Sequence, residues 1–280
     1  MLLTRPVTCC LLLLCLLLSL RQAVAIERKV IIEKERFYYV TVDEQSQLAT
    51  LHEGAVKQRL SAATVTRLPV GRESLEPVLP LAFDIRDRRM TVINWVLSPF
   101  NSRYEAIKSL DLDHLPAVAD EAALPDVGFY LPPAAPFEPW QQMLHRNNVL
   151  QDNFFDLATP APGQLLVAVC NQGTLVLSAW NGTAWQHSAP LRVTFKSCFN
   201  LLTLRHQTLL LGPGGEYYRY NAAKNELEQV AAKLVADKDQ DILVIDKDED
   251  KVYVIGNGFL EPGPESLQQL LKKHARELAL

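Results

Sequence analysis

The sequence predicts a mainly β chain built from short hairpins and closed by one helix. Three observations carry this. Runs rich in Val, Leu, Tyr and Thr, apolar or alternating, recur between turn residues from Arg36 to Ile255. Hairpin landmarks at Thr174, Thr208 and Lys251 stand about 34 and 43 residues apart, a period that suits four-stranded repeats and equally a meander or sandwich. Finally, Leu267, Leu270, Leu271, Ala275 and Leu278 recur at helical spacing.

With 280 residues, 48% apolar and 21% charged, the composition is that of an average globular protein and excludes a disordered tail, a collagen and a polytopic membrane protein. The first 25 residues differ from the rest. Arg5 precedes an almost wholly apolar run from Val7 to Leu20, and Ala23 and Ala25 place small side chains before Ile26. This reads as a secretory signal peptide over 1–25, because about 14 apolar residues fall short of the roughly 20 that span a bilayer. An uncleaved signal anchor is the alternative. The expected localisation is secreted or periplasmic, with no stable membrane span after cleavage. Cleavage removes two arginines and no acid, taking the formal net charge from −4 to −6. With no basic run outside the closing helix, a nucleic-acid partner is not expected.

The elements follow in order. Arg36–Val42 and Gln47–Leu51 form a first hairpin across Asp43–Ser46, and Leu81–Ile85 and Met90–Val96 a second across the charged turn Arg86–Arg89. From about 110 to 163 the prolines are too dense for central strands, and the stretch reads as an irregular insertion packed on the sheets, with a short helix over Glu138–Leu150. Leu165–Val169 and Thr174–Trp180 flank Asn171-Gln172-Gly173, and the following Asn181-Gly182 suggests a type I′ turn. Phe199–Leu204 then pairs with Thr208–Leu211, Tyr217–Tyr220 with Leu227–Val230, and Ile242–Ile245 with Val252–Ile255. The closing helix spans Pro264 to Leu278, Lys272, Lys273, His274 and Arg276 favouring its carboxyl end. Its apolar stripe is expected to dock on the domain.

Within this pattern, Leu209-Leu210-Leu211-Gly212-Pro213-Gly214-Gly215-Glu216-Tyr217-Tyr218-Arg219-Tyr220-Asn221, ending in Lys224 to Glu228, resembles a kelch repeat: an apolar strand, a glycine pair, a spaced tyrosine and a turn with Asn. Val252 to Gly258 is similar to the start of another, and Trp185 to Leu191 to the end of one. The resemblance covers about residues 173–260 and implies a β-propeller-like topology. On that reading, residues 26–263 form one domain of five or six small antiparallel sheets in a complete or incomplete ring, and 264–280 the amphipathic helix.

No nucleophile elbow, zincin helix, phosphate loop or paired-cysteine zinc motif occurs in the sequence, so no catalytic residue, metal or cofactor is assigned. Asp237–Asp241 and Asp246–Asp250 have alternating carboxylates, but interleaved lysines and missing glycines make them solvated turns rather than calcium loops. His114 beside Asp111 and Asp113, and His52 beside Glu53, are read as chance neighbours. Cys170 and Cys198, the cysteines left after cleavage, are a disulfide candidate or a pair of buried thiols. Asn181 begins an Asn-Gly-Thr glycosylation sequon. Trp180 and Trp185 flank that corner as a candidate sugar-stacking pair or a cross-strand aromatic pair. The expected function is non-catalytic binding of a protein or glycan. A carbohydrate-active hydrolase or lyase is the alternative, and it requires carboxylates of raised pKa converging in one concave pocket.

Overall fold

The computed structural model describes residues 29–43, 48–68, 78–96, 103–115, 153–171, 173–193, 200–212, 215–221, 224, 226–231, 241–256, 260 and 263–277. The expected signal peptide over 1–25, the expected helix over 138–150, most of the proline-rich stretch and Cys198 lie outside them.

The strands fall into five successive groups. The first holds β1 (Lys29–Glu33), β2 (Arg36–Asp43), β3 (Leu48–Ala55) and β4 (Thr64–Arg67), and the second β5 (Val78–Arg86), β6 (Arg89–Val96) and β7 (Arg103–Asp111). The third holds β8 (Asn153–Ala158), β9 (Leu165–Asn171), β10 (Thr174–Trp180), β11 (Trp185–His187) and β12 (Leu191–Arg192). The fourth comprises β13 (Asn200–Thr203), β14 (Thr208–Leu211), β15 (Tyr217–Asn221) and β16 (Glu226–Ala231). The last has β17 (Ile242–Asp246) and β18 (Lys251–Ile255), then helix α1 (Leu267–His274) and β19 (Ala275–Glu277). Within each group, neighbouring strands run antiparallel as the hairpin pattern predicts; Tyr220 faces Leu227 and Ile245 faces Val252.

These groups make four sheets among the described residues, not five or six, because the first and last groups merge. β1 pairs in parallel with β17, Lys29 opposite Leu243 and Ile32 opposite Asp246, so the first and last described strands share one seven-stranded sheet, β19-β18-β17-β1-β2-β3-β4. β1 lies beside β5, β5 beside β8 and β8 beside β13, while β17 returns to β1, which gives a β-propeller-like ring.

Alternation explains how the ring packs. In β1, Ile31 joins Tyr38, Phe83, Ile85, Met90 and Leu110 between the first and second groups, whereas Val30 and Ile32 point to the other face, under α1. A strand buried on both faces must be apolar throughout, and Val30-Ile31-Ile32 is. Leu202, Leu209 and Tyr217 pack on Ile245, Val252 and Val254, closing the ring between the fourth and last groups. Leu175, Leu177 and Cys170 pack on Leu201 and Leu210. Cys170 is disulfide-bonded.

Two departures from the sequence reading have local causes. Helix α1 starts at an N-cap, Ser266, whose side chain accepts from the Gln269 amide in a capping box, but it stops at His274, short of Leu278. Ala275 is extended, and Ala275–Glu277 pair with Ile255, Val254 and Tyr253, satisfying backbone groups along β18 that an edge would leave open. Leu267, Leu270 and Leu271 do dock on the sheet. The Asn181-Gly182 corner is a four-residue loop between paired Trp180 and Trp185, not a type I′ turn: Gly182 has φ +100°, Asn181 does not have positive φ, and its Oδ1 accepts from the Thr183 amide and hydroxyl and the Ala184 amide.

At the centre of the ring, lysines and acids of different groups are paired. Lys29 Nζ lies 3.2 Å from Asp156 Oδ1, and Lys247 Nζ lies 2.9 Å from Asp84 Oδ1. Asp84 also accepts from the Thr159 amide and hydroxyl, and Asp156 from the Leu201 amide. Each aspartate thus ties its strand to the next group along the chain.

Candidate functional site

The second group is two-faced. Phe83, Ile85, Met90, Val92 and Leu110 fill the core toward the first group. The opposite face is polar where the hairpin ends: Asp84 pairs with Thr91 and Thr91 with Ser109, while Arg86 pairs with Arg89 and Arg89 with Asp111. Side chains directly opposite in a sheet share a face, so these groups look together toward the β8–β9 connection. Between that face and Thr159–Leu165 lies a cleft of about 240 Å³, lined by Arg86, Asp87, Arg89, Thr91, Ser109, Thr159 and Gln164 among others.

The β5–β6 turn sets the geometry. Asp87 and Arg88 have φ of 50° and 62°, both positive, as a two-residue type I′ hairpin requires. Neither is glycine, so the turn is held from outside. The Asp87 amide donates to Glu33 Oε2 at 2.8 Å and the Asp87 carboxylate lies 2.6 Å from Lys34 Nζ. Arg88 donates to Asp113 and Tyr38 and forms an ion pair with Glu53. Arg86 donates to the carbonyls of Thr159 and Pro160, which anchors its guanidinium at the cleft wall. Arg89 reaches Ser109 Oγ at 3.5 Å.

Among the described residues the carboxylate lining the cleft is Asp87, exposed and held below its usual range by Lys34. Acids with raised pKa lie elsewhere. Burial pushes Glu33, Asp156 and Asp246 up, against the pull of Lys247 on Glu33 and Lys29 on Asp156. Burial also pushes Asp84 up, but Lys247, Lys29 and Thr159 outweigh it and hold the carboxyl low. Glu33 accepts from Asp87, Asp156 from Leu201, and Asp246 from the Asp248 and Glu249 amides of its own turn.

Trp180 is buried and Trp185 half-buried, directly opposite each other with ring planes tilted by 48°. Trp185 continues along β11 to a parallel His187 ring at 6.3 Å. Asn181 is exposed. His52 and Glu53 diverge: His52 stacks on Tyr39 at 4.4 Å, while Glu53 pairs with Arg36 and Arg88. Asp111 and His114 do meet, at 3.1 Å, because β7 ends at Asp111 and the chain turns. Asp246–Lys251 is a hairpin turn, as expected, and among the described residues no group of three or more His, Cys, Asp or Glu could hold a metal. No helix of the described residues is long and apolar enough to cross a membrane.

Sequence reading missed Arg86 and Arg89, taken only as a charged turn, and the clamping aspartates Asp84 and Asp156. The latter had a signal: Phe83-Asp84-Ile85 recurs as Phe155-Asp156-Leu157 and, with the isosteric amide, as Phe199-Asn200-Leu201.

No protein-family model and no curated protein matches the sequence. Among solved structures the chain is similar to a glutaminyl cyclase of Myxococcus xanthus, at 10% identity over 84% of this chain and 88% of that one with a TM-score of 0.38. It is also similar to the catalytic domain of a GH62 α-L-arabinofuranosidase of Coprinopsis cinerea, at 11% identity over 89% of each chain with a TM-score of 0.43. At these values neither likeness carries an assignment of residues or activity.

Proposed function

We propose that the chain is an exported, non-catalytic binding protein whose ring of sheets is a rigid scaffold and whose cleft between the second and third groups receives the ligand. Export rests on the N-terminal segment 1–25. The observation that carries the non-catalytic reading is the state of the buried acids at the ring centre. Asp84 and Asp156 are tied to lysines and to donors of the next strand group, and Glu33 and Asp246 to backbone amides. A carboxylate so engaged holds strands together; taking up a proton or attacking a substrate would break those bonds. Among the described residues the cleft offers one acid, Asp87, shifted away from the protonated form a general acid needs.

The test is to expose the purified chain to a panel of immobilised glycans and chromogenic glycosides. Saturable binding without product is expected. Steady turnover above the buffer rate overturns the reading.

A further inference from the structure

Among the described residues four hairpins join the first and second strands of their groups through short turns, and the residue pair flanking the turn sets one of them apart. In the first group it is Glu33 opposite Arg36, in the fourth Thr203 opposite Thr208, and in the last Asp246 opposite Lys251. These pairs are complementary or neutral. In the second group it is Arg86 opposite Arg89. Like charges directly opposite destabilise a hairpin, and this one also spends two positive-φ residues on its turn.

The neighbouring acids Asp87 and Asp111 attract Arg86 and Arg89 through space, but neither closes a direct ion pair with them among the described residues. Asp87 is held by Lys34 at 2.6 Å, and Asp113 and Glu53 are bound to Arg88. Asp111, the register partner of Arg89 on β7, accepts from the Asp113 amide and meets His114. Arg86 and Arg89 make no ion pair among the described residues; their contacts are the Thr159 and Pro160 carbonyls and the Ser109 hydroxyl. So a protein of net negative charge presents two guanidinium groups, one of them anchored, on the wall of a cleft. Guanidinium groups suit flat or tetrahedral oxoanions. Of the remaining lining, Thr91, Ser109 and Gln164 suit hydroxyl groups, and Ala161, Pro162 and Leu165 offer an apolar wall such as the C–H face of a sugar ring can cover. At about 240 Å³ the cleft is smaller than the roughly 300–1,000 Å³ of pockets for drug-sized ligands, which limits the occupant to about one sugar ring.

We propose that this cleft binds the oxoanion of a monosaccharide-sized acidic ligand, a carboxylate or a sulfate ester, between Arg86 and Arg89. This rests on the binding reading above and specifies its ligand. Isothermal titration with glucuronate, glucose 6-sulfate and neutral glucose tests it, on the parent and on Arg89→Gln. Either acidic sugar is expected to bind and glucose not; whichever of the two binds more tightly identifies the oxoanion. Binding should weaken as salt is raised from 50 to 500 mM, and Arg89→Gln should weaken it about tenfold, the scale of one charge-assisted contact near the surface. The melting temperature of Arg89→Gln without ligand should equal or exceed the parent's, since the substitution removes a like-charge pair.

Equal binding of glucose and the acids, no binding of either acid, or an unchanged affinity in Arg89→Gln overturns the oxoanion site. A fall in melting temperature shows Arg89 to be structural and overturns it too. Turnover of a bound acidic sugar refutes the non-catalytic reading while leaving the oxoanion site standing.

Discussion

Lys247→Met is the most direct probe of the ring centre. The Lys247 side chain is 4% exposed and its Asp84 partner 1%. The substitution removes the 2.9 Å ion pair and the bond to the Ile85 carbonyl, leaving a buried carboxylate without its nearest cation. Such a loss costs about 3–5 kcal/mol. Asp84 keeps the Thr159 amide at 2.7 Å, the Thr159 hydroxyl at 2.6 Å and the Ile85 amide at 2.9 Å, which places the expectation at the lower end, about 3 kcal/mol. In a domain of this size that corresponds to a fall in melting temperature of roughly 6–12 °C. Adding Asp84→Asn removes the stranded charge while retaining an oxygen for Thr159, and should recover about 1 kcal/mol or more. The penalty also has a pH signature. In the parent the Asp84 pKa lies below its ordinary value, so its contribution is present above about pH 4 and is lost as pH falls through the lowered value. Without Lys247 burial dominates and the carboxyl shifts upward, so the cost of the variant should be largest at neutral pH and shrink toward pH 4. Calorimetry and urea unfolding measure both. A loss under about 1 kcal/mol, or a double variant no more stable than the single one, refutes the view that this pair fastens the ring.

Other outcomes are equally specific. His52 is buried against Tyr39 and burial lowers its pKa below 6.5, so stability should decline as pH falls below about 6.5, more in the parent than in His52→Phe; parallel Tm profiles of the two from pH 7.5 to 5 would refute this. Gly54→Ala places a Cβ 2.7 Å from Phe37 Cζ, and Phe37 is fully buried and stacked on Tyr39, so urea unfolding should show a loss of about 1–3 kcal/mol. Opening the Cys170 disulfide should cost roughly 2–4 kcal/mol, read as a Tm shift under reductant, and peptide mapping without reductant should recover Cys170 joined to Cys198.

What could be read from the sequence divides along locality. Hairpins such as Leu165–Asn171 with Thr174–Trp180 are legible because alternation and turn residues lie within a few positions of each other. The merger of the first and last groups is not, since the β1–β17 pairing joins segments at opposite ends of the chain and a strand buried on both faces has no alternation to reveal its partner. The end of α1 is a similar case. Ala275 and Leu278 fit the helical stripe, yet pairing with β18 draws Ala275–Glu277 into the sheet. At the cleft, Arg86 and Arg89 look like any solvated turn until register puts them face to face. The Asp84 and Asp156 clamps are visible as a recurring tripeptide, but an acid between two apolar strand residues matches no catalytic motif, and its partners lie on another strand group.

The parallel seam between β1 and β17 also sets an order of events. Lys29 comes long before Leu243 in the sequence, so the circle stays open until synthesis has passed Asp246. Until then Val30, Ile31 and Ile32 have one flank uncovered, a sticky edge that a chaperone would need to shield. A chain shortened before residue 242 would keep that edge permanently, and aggregation rather than a smaller folded product is its natural fate.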